Sequence, residues 1–361
     1  MTELAWTPAR TVERAWIVGW WAAGRALVLA TAAIVGAVGP RGFTGLAERQ
    51  HMLGLLGAWD GRWYRTVAEN GYLLEPGRQS DPAFFPLFPL LMRAVHALGV
   101  GYETAGLLVA NVAFFVALFL FEAFTRELLG AVLARRATVL LAVLPIGFVF
   151  SMAYPESVVL ALVAGAGLAA LRGRWWLPAA ALAAAALARP EALLIAIALA
   201  PRARRVHTGP AYAAVLAPFA ALAGFAAYLW WTIGDPLGWT HAERAWGRRF
   251  QPLGIVRAVQ NLPREVTANA GTVRDVVCFV VYAALLAVAW RRGVPRAWVL
   301  AGVLVVALPT FSGSFHSLGR FGLLAPAVLW GAALAARGRW VYAVSAALLV
   351  AGVATLPFVF P

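Results

Sequence analysis

A short polar and aromatic segment, residues 59–72, interrupts a chain that is otherwise strongly apolar. It contains Asp60, whose carboxylate could accept a proton from an incoming hydroxyl close to the membrane surface, which is the work of a general base. The same side chain could instead cap a short helix that begins directly after it, with Trp59, Trp63 and Val67 packed on lipid or protein. The two roles are compatible, and both stay open on the sequence alone.

Two further carboxylates directly follow prolines, Glu156 after Pro155 and Glu191 after Pro190. Proline suits the first turn of a helix, and a carboxylate there complements the helix dipole, so a structural role accounts for both residues. Ionisable groups at the edge of a membrane are costly to bury unpaired, which favours a functional role as well. We expect Arg189 to form an ion pair with Glu156 or Glu191.

Arginines are concentrated in a late polar segment, residues 233–273, and at the start of the following apolar run. An anionic ligand would explain them, and so would an amphipathic interfacial helix whose guanidinium groups meet lipid phosphates. Arg320, at the start of another apolar run, could fork onto a phosphate or snorkel to the interface. These arginines are Arg244, Arg248, Arg249, Arg257, Arg264 and Arg274.

The residues that bind metals or react as thiols are sparse. His241 and His316 lie far apart in a spacing unlike any metal-ligand motif, so we expect no metal site. The single cysteine, Cys278, permits neither an intramolecular disulfide nor a paired-cysteine metal motif. The chain contains no lysine, which excludes a Walker A motif.

The elements that position these residues are indicated by the composition, with 62% hydrophobic residues and a mean hydropathy of +0.77. Apolar runs long enough to cross a bilayer recur to the end of the sequence, which predicts an all-α polytopic membrane protein rather than a soluble fold. The formal charge of +14 comes from arginines clustered between these runs. That pattern follows the positive-inside bias, so nucleic-acid binding is not expected.

Placing the arginine clusters on the cytoplasmic side predicts a single membrane domain with about eleven crossings, beginning with an uncleaved span. Residues 83–98 then lie at the outer interface or re-enter it, and Arg189–Pro190–Glu191 breaks a pair of short helices. The polar segments converge on the extracytoplasmic face. The expected parts are a first span at 15–39, a first outer loop at 40–102 with juxtamembrane helices, central spans at 103–232, a second outer loop at 233–273 and C-terminal spans at 274–361.

Several short motifs, in order, resemble the PIG-V-type mannosyltransferases of the GT-C superfamily of polytopic membrane glycosyltransferases. Together they cover residues 59–321, most of the chain. The resemblance implies a GT-C-like arrangement of the helices, a polyprenyl phosphate sugar donor, mannose by family, and an extracytoplasmic active site. The arginine and alanine bias of the composition, with no targeting or retention signal visible, favours a bacterial inner membrane. The motifs are Trp59-Asp60-Gly61 with Gly71-Tyr72, residues 83–89, Tyr154-Pro155-Glu156-Ser157, Arg189-Pro190-Glu191, Gly234-Asp235-Pro236-Leu237, Trp246-Gly247-Arg248 and Gly319-Arg320-Phe321.

The reaction that the resemblance implies is an inverting displacement at the anomeric carbon. Asp60 is the candidate base, with Glu156 as a second catalytic carboxylate, and Arg320, Arg248 and Arg189 are candidates for the donor phosphate. Because the leaving group is already anionic and arginines can balance it, we expect no metal or soluble cofactor. The acceptor stays open between a glycan, a glycolipid and a protein. Candidate substrate contacts are Trp59, Tyr64, Asp235, His241, His316 and Glu191.

Two other classes of function compete with a transferase. A transporter or flippase for lipid-linked sugars would share the helix bundle and the outer arginines, but no inverted repeat is visible and the polar residues favour one face over the midplane. A non-catalytic scaffold would be indifferent to Asp60→Asn.

Overall fold

We describe residues 14–38 and 51–357 of a computed structural model of the chain. These residues form α-helices joined by turns and short 3-10 segments, and none of them forms a β-strand. The helices of the first half are α1 (Ala15–Val38), α2 (Met52–Leu56), α3 (Asp60–Asn70), α4 (Leu87–His96), α5 (Tyr102–Leu129), α6 (Ala131–Ala142), α7 (Glu156–Leu171) and α8 (Trp176–Ala188). Those of the second half are α9 (Ala192–Ala196), α10 (Ala200–Val206), α11 (Gly209–Ile233), α12 (Gly238–Arg244), α13 (Gly254–Ala268), α14 (Ala270–Arg291), α15 (Arg296–Ala307), α16 (Leu318–Phe321), α17 (Pro326–Ala335) and α18 (Trp340–Thr355).

The chain is an all-α membrane protein by the length and composition of its helices. In the described part, α1, α5, α11 and most of α14 are long and apolar enough to cross a bilayer, and the bent pair Leu318–Leu324 and Pro326–Ala335 makes a fifth candidate. The remaining apolar helices have 10–17 residues. A 16-residue helix rises about 24 Å against a hydrocarbon core of about 30 Å, so helix length does not confirm the expected eleven crossings.

Breaks between helices fall at the residues that the sequence singled out. Helix α8 ends at Ala188, and Arg189 takes an extended conformation (φ −154°, ψ 129°), because the residue before a proline is disfavoured in the helical region. The predicted interruption of this helix pair is confirmed. A 3-10 segment, Gly147–Ser151, likewise precedes the turn that starts α7 at Glu156.

The segment expected at the outer interface forms α4 and its approach. The ten residues of α4 rise about 15 Å, about half of the hydrocarbon core. An apolar segment at the interface would turn its phenylalanines toward lipid, but Phe84, Phe85 and Phe88 are buried within the protein. Phe84 and Phe88 pack edge-on against Tyr64 of α3, at 5.1 and 5.2 Å between ring centroids. Aromatic packing therefore attaches this segment to α3.

A buried polar cluster ties the first span to the bundle. Arg25 in α1 donates to the hydroxyl of Ser151 at 2.7 Å, and its guanidinium lies 4.4 Å from the centre of the Phe114 ring. Ser151 donates in turn to the side-chain oxygen of Asn111 in α5 at 2.8 Å. Within the described residues no carboxylate pairs with Arg25, which is 3% exposed. The cluster joins α1, α5 and the 3-10 segment that leads to Glu156.

Candidate active site

Asp60 is the first residue of α3, and its side chain is directed at an arginine from the far end of the chain. Its Oδ2 lies 2.5 Å from Nη2 of Arg320. The capping role considered from the sequence is wrong in detail, because the cap position belongs to Trp59, whose side chain makes no capping hydrogen bond. Trp59 has a φ of +60°, a conformation that costs a non-glycine residue about 1–3 kcal/mol.

Arg320 belongs to a buried chain of alternating charges. Its Nη1 lies 3.7 Å from Oε1 of Glu156, and the same oxygen lies 2.5 Å from Nη1 of Arg189. Arg189 also contacts Glu191, at 3.2 Å from Nε to Oε2. The expectation that Arg189 pairs with Glu156 or Glu191 is confirmed for both. With Asp60, three carboxylates meet two guanidinium groups, so this chain of charges alone carries a net charge of −1.

The backbone around Arg320 is fixed by an acid that the sequence reasoning did not select. Asp275 of α14, which is 3% exposed, accepts hydrogen bonds from the amides of Ser317 (2.8 Å) and Gly319 (3.1 Å). The hydroxyl of Tyr282 donates to the carbonyl of Gly319 at 2.6 Å. A Cβ on Gly319 would lie 3.1 Å from the Asp275 carboxylate, so glycine permits this close approach. Ser317 has a φ of +64°, which places a second strained residue beside the site.

Hydrogen bonds between two turns hold Asp60 and Glu156 in position relative to each other. The amide of Ala153 donates to the carbonyl of Leu56 at 3.0 Å, and the hydroxyl of Tyr154 donates to the carbonyl of Ala58 at 3.4 Å. These bonds join the turn before Glu156 to the turn before Asp60. The carboxylates therefore keep their relative position as long as the two turns stay paired.

Asp60 and Arg320 lie on the wall of a small cavity, which we call the charged chamber. It has a volume of about 70 Å³ and is lined by side chains that include Asp60, Tyr64, Glu191, Arg248 and Arg320. Burial raises the pKa of Tyr64 well above its usual range, so the phenol keeps its proton at neutral pH. Asp60 thus shares one cavity with Arg248 and Arg320, two of the arginines that are candidates for the donor phosphate.

Two larger cavities adjoin the charged chamber. One, the cationic groove, has about 430 Å³, with Arg244, Arg248 and Arg249 beside the apolar side chains of Phe250 and Phe311. Arg248 lies 3.5 Å from Glu243 and donates to the hydroxyl of Ser317 at 2.9 Å. Desolvation raises the pKa of Glu243, although Arg248 opposes the shift.

The other cavity, the aromatic mouth, has about 300 Å³ and also reaches Asp60 and Arg248. The chamber, the groove and the mouth share Arg248, and the chamber and the mouth share Asp60, so the three cavities lie side by side around these two residues. The other side chains that define the aromatic mouth are Trp59, Trp63, Gln79, Trp246, Asn269, Arg274, Asp275 and His316.

Not every predicted site residue reaches these cavities. His316 lines both the groove and the mouth, and its Nε2 lies 3.8 Å from Glu265. Asp235 and His241 contact each other at 2.5 Å beside α12 and line none of the three cavities. Arg189 and Arg320 both pair with buried carboxylates. Of the three predicted phosphate ligands, Arg248 is therefore the one that lines the groove.

Sequence reasoning missed Asp275 and Glu243 as members of the site. Asp275 had a readable signal, because it is an acid inside the apolar run at 274–290. Glu243 had none beyond its place in an arginine-rich loop. Across residues 14–38 and 51–357, no group of three or more His, Cys, Asp or Glu side chains is arranged to hold a metal ion.

Comparison with known proteins gives likeness in structure only. No family model matches the chain, and no curated protein matches it. Two crystal structures of the Archaeoglobus fulgidus oligosaccharyltransferase resemble it, each with a TM-score of 0.45 over 91% of this chain. One structure holds a disulfide-tethered acceptor peptide with the NVT sequon; it is 14% identical to this chain, and the match covers 55% of it. The other is a complex with Zn and sulfate; it is 12% identical, and the match covers 53% of it. The chain spans about half the length of these proteins.

Proposed function

We propose that the protein is a membrane glycosyltransferase that moves a sugar from a polyprenyl phosphate donor to an acceptor on the extracytoplasmic side. The family resemblance in the sequence favours mannose as the sugar. One observation carries the proposal: Asp60 lies in a single chamber with Arg248 and Arg320, at the junction of the cationic groove and the aromatic mouth. A carboxylate facing a cationic site is the arrangement that an inverting displacement needs.

In the proposed reaction, the acceptor hydroxyl attacks the anomeric carbon and gives its proton to Asp60. The ion pair with Arg320 orients the carboxylate, because the two side chains meet at 2.5 Å and Arg320 is only 2% exposed. The bond between the anomeric carbon and the phosphate oxygen breaks, and its electron pair leaves with the phosphate. Glu156 is placed to hold Arg320 and Arg189 in position.

The cationic groove supplies the counter-charge for the leaving phosphate. Arg244 and Arg249 are exposed on its wall, and Arg248 reaches from the groove into the chamber. Guanidinium groups bind phosphate oxygens well because their N–H donors form a planar fork. The apolar side chains of Phe250 and Phe311 lie beside them and suit the start of a polyprenyl chain. We therefore assign the phosphate to Arg244, Arg248 and Arg249.

The test uses the purified protein with a radiolabelled polyprenyl phosphate mannose and envelope glycans as acceptor. We expect label to move to the acceptor and polyprenyl phosphate to be released, and both products to be lost in Asp60→Asn. Proteoliposomes separate the competing class, since a flippase moves the intact labelled lipid across the bilayer without cleaving it. Label that crosses the membrane on an unchanged lipid would overturn the proposal.

A further inference from the structure

The aromatic mouth differs from the cationic groove in its charge. Arg274 lies 3.5 Å from Asp275, and His316 lies 3.8 Å from Glu265. In formal charge, Asp60 and Asp275 balance Arg248 and Arg274 on this wall. The groove instead has the three arginines Arg244, Arg248 and Arg249 against the two carboxylates Glu191 and Glu243. A compensated wall gains little from a charged ligand, which favours an uncharged one.

The three indoles of the mouth are held in place by packing. Trp63 stacks on Phe84 at 5.7 Å with an interplanar angle of 8°, and Trp246 meets both rings edge-on at 5.4 and 5.6 Å. Trp59, directly before Asp60, is partly buried and packs against the apolar core. Rigid aromatic side chains offer contact area at a low cost in conformational entropy. The mouth is thus preorganised for a ligand with apolar surfaces.

The polar groups of the mouth add a second requirement. Gln79 and Asn269 are exposed on its wall, and an amide both donates and accepts hydrogen bonds. A sugar ring presents apolar C–H faces with a rim of hydroxyls that do the same. The cavity of about 300 Å³ is at the small end of ligand sites, so it suits a short saccharide end.

We propose that the aromatic mouth is the acceptor subsite and that the acceptor is an uncharged saccharide end, which presents one hydroxyl to Asp60. This inference rests on the proposed function. In the transfer step, the acceptor oxygen bonds to the anomeric carbon, its proton passes to Asp60, and the phosphate departs with the electrons of the broken C–O bond. An extended peptide would instead need backbone partners along a groove, and the mouth offers side-chain amides and indoles.

The test first measures binding without donor, by saturation-transfer NMR on the purified protein with a neutral oligomannoside. We expect binding to the wild type, and about tenfold weaker binding in Trp246→Ala and in Gln79→Ala. Trp231→Ala is the matched control, because this indole is 86% exposed on α11 and lines none of the three cavities. It should bind and transfer as the wild type does. Gln79→Ala guards against a folding defect, since that side chain is exposed.

The second measurement compares transfer from the labelled donor to three acceptors: the oligomannoside, a Ser/Thr-rich peptide and a phosphoglycolipid lacking a neutral sugar. Transfer to the oligomannoside, with a raised KM in Trp246→Ala and Gln79→Ala, is the expected result. Transfer to the peptide or the phosphoglycolipid alone would overturn the acceptor assignment and leave the transferase intact. Saccharide binding with no cleavage of the donor would overturn the proposed function instead. Absence of saccharide binding would overturn the present inference.

Discussion

Asp60→Asn separates the chemical role of this carboxylate from its structural one. The amide is nearly isosteric and can still accept a hydrogen bond from Arg320, but it cannot take a proton from the acceptor. Loss of a general base lowers the rate by about 10²–10⁴-fold, which is about 2.7–5.5 kcal/mol in activation free energy.

The stability cost of the same substitution is smaller than for an isolated buried pair. Breaking a buried ion pair costs about 3–5 kcal/mol when the remaining charge has no other partner. Arg320 keeps Glu156 at 3.7 Å, so we expect a loss of about 1–3 kcal/mol. Thermal denaturation in detergent measures this loss, and transfer of label from the donor measures the rate.

The matched control is Glu69→Gln, on the same helix. Glu69 pairs with Arg65 at 2.7 Å on a more exposed surface, where ion pairs contribute about 0–1 kcal/mol. We expect near wild-type transfer and stability from this variant. The reasoning is refuted if Asp60→Asn transfers sugar within about threefold of the wild type while melting at the wild-type temperature.

Three further outcomes are expected. In Asp275→Asn the side chain accepts fewer backbone hydrogen bonds from the turn before Arg320, so kcat should fall about tenfold with the KM for the donor unchanged. A tenfold rise in the donor KM would contradict this prediction. Burial raises the pKa of Asp81 to about 6, although the hydrogen bond from the Leu73 amide opposes the shift. The stability that this raised pKa contributes is fully present at a pH below the ordinary pKa near 3.8 and is lost as the pH rises through 6. The wild type should therefore lose about 1–2 kcal/mol more than Asp81→Asn between pH 4 and pH 7 in a denaturation series. Arg25→Met removes a desolvated charge, so the free energy of unfolding should stay the same or rise. Sugar transfer should fall several-fold, because the 3-10 segment at Ser151 loses its hydrogen bond to Arg25. Equal losses of stability and transfer would contradict this role of Arg25.

Local chemistry made part of the architecture predictable from the sequence. The apolar runs coincide with helices close to their expected bounds. The first span was expected at 15–39, and α1 is Ala15–Val38; the central spans were expected over 103–232, and these helices begin at Tyr102 and end at Ile233. The proline after Arg189 gave the helix break. Local rules suffice for such elements because they depend on residues that are neighbours in sequence. The number of crossings did not follow, because several apolar helices are too short for length alone to decide.

Long-range contacts limited the prediction of the site. Asp60 and Arg320 are 260 positions apart, and no local pattern specifies that they meet. The expectation that their polar segments converge on one face came from the predicted topology, and their expected roles came from the family resemblance. Asp275 was missed because it acts through the backbone of Ser317 and Gly319, a contact that has no signature in a single sequence. Asp235 and His241 contact each other and line none of the three cavities, so their role as substrate contacts stays a prediction.

The order of synthesis gives the charged chamber a further consequence. Asp60, Glu156, Arg189 and Glu191 enter the membrane well before Arg320, which closes the network from near the C-terminus. Until that residue arrives, a nascent chain holds three acids against a single guanidinium among these positions. Insertion intermediates and chains truncated before the last helices should therefore expose an uncompensated acidic cluster within the bundle.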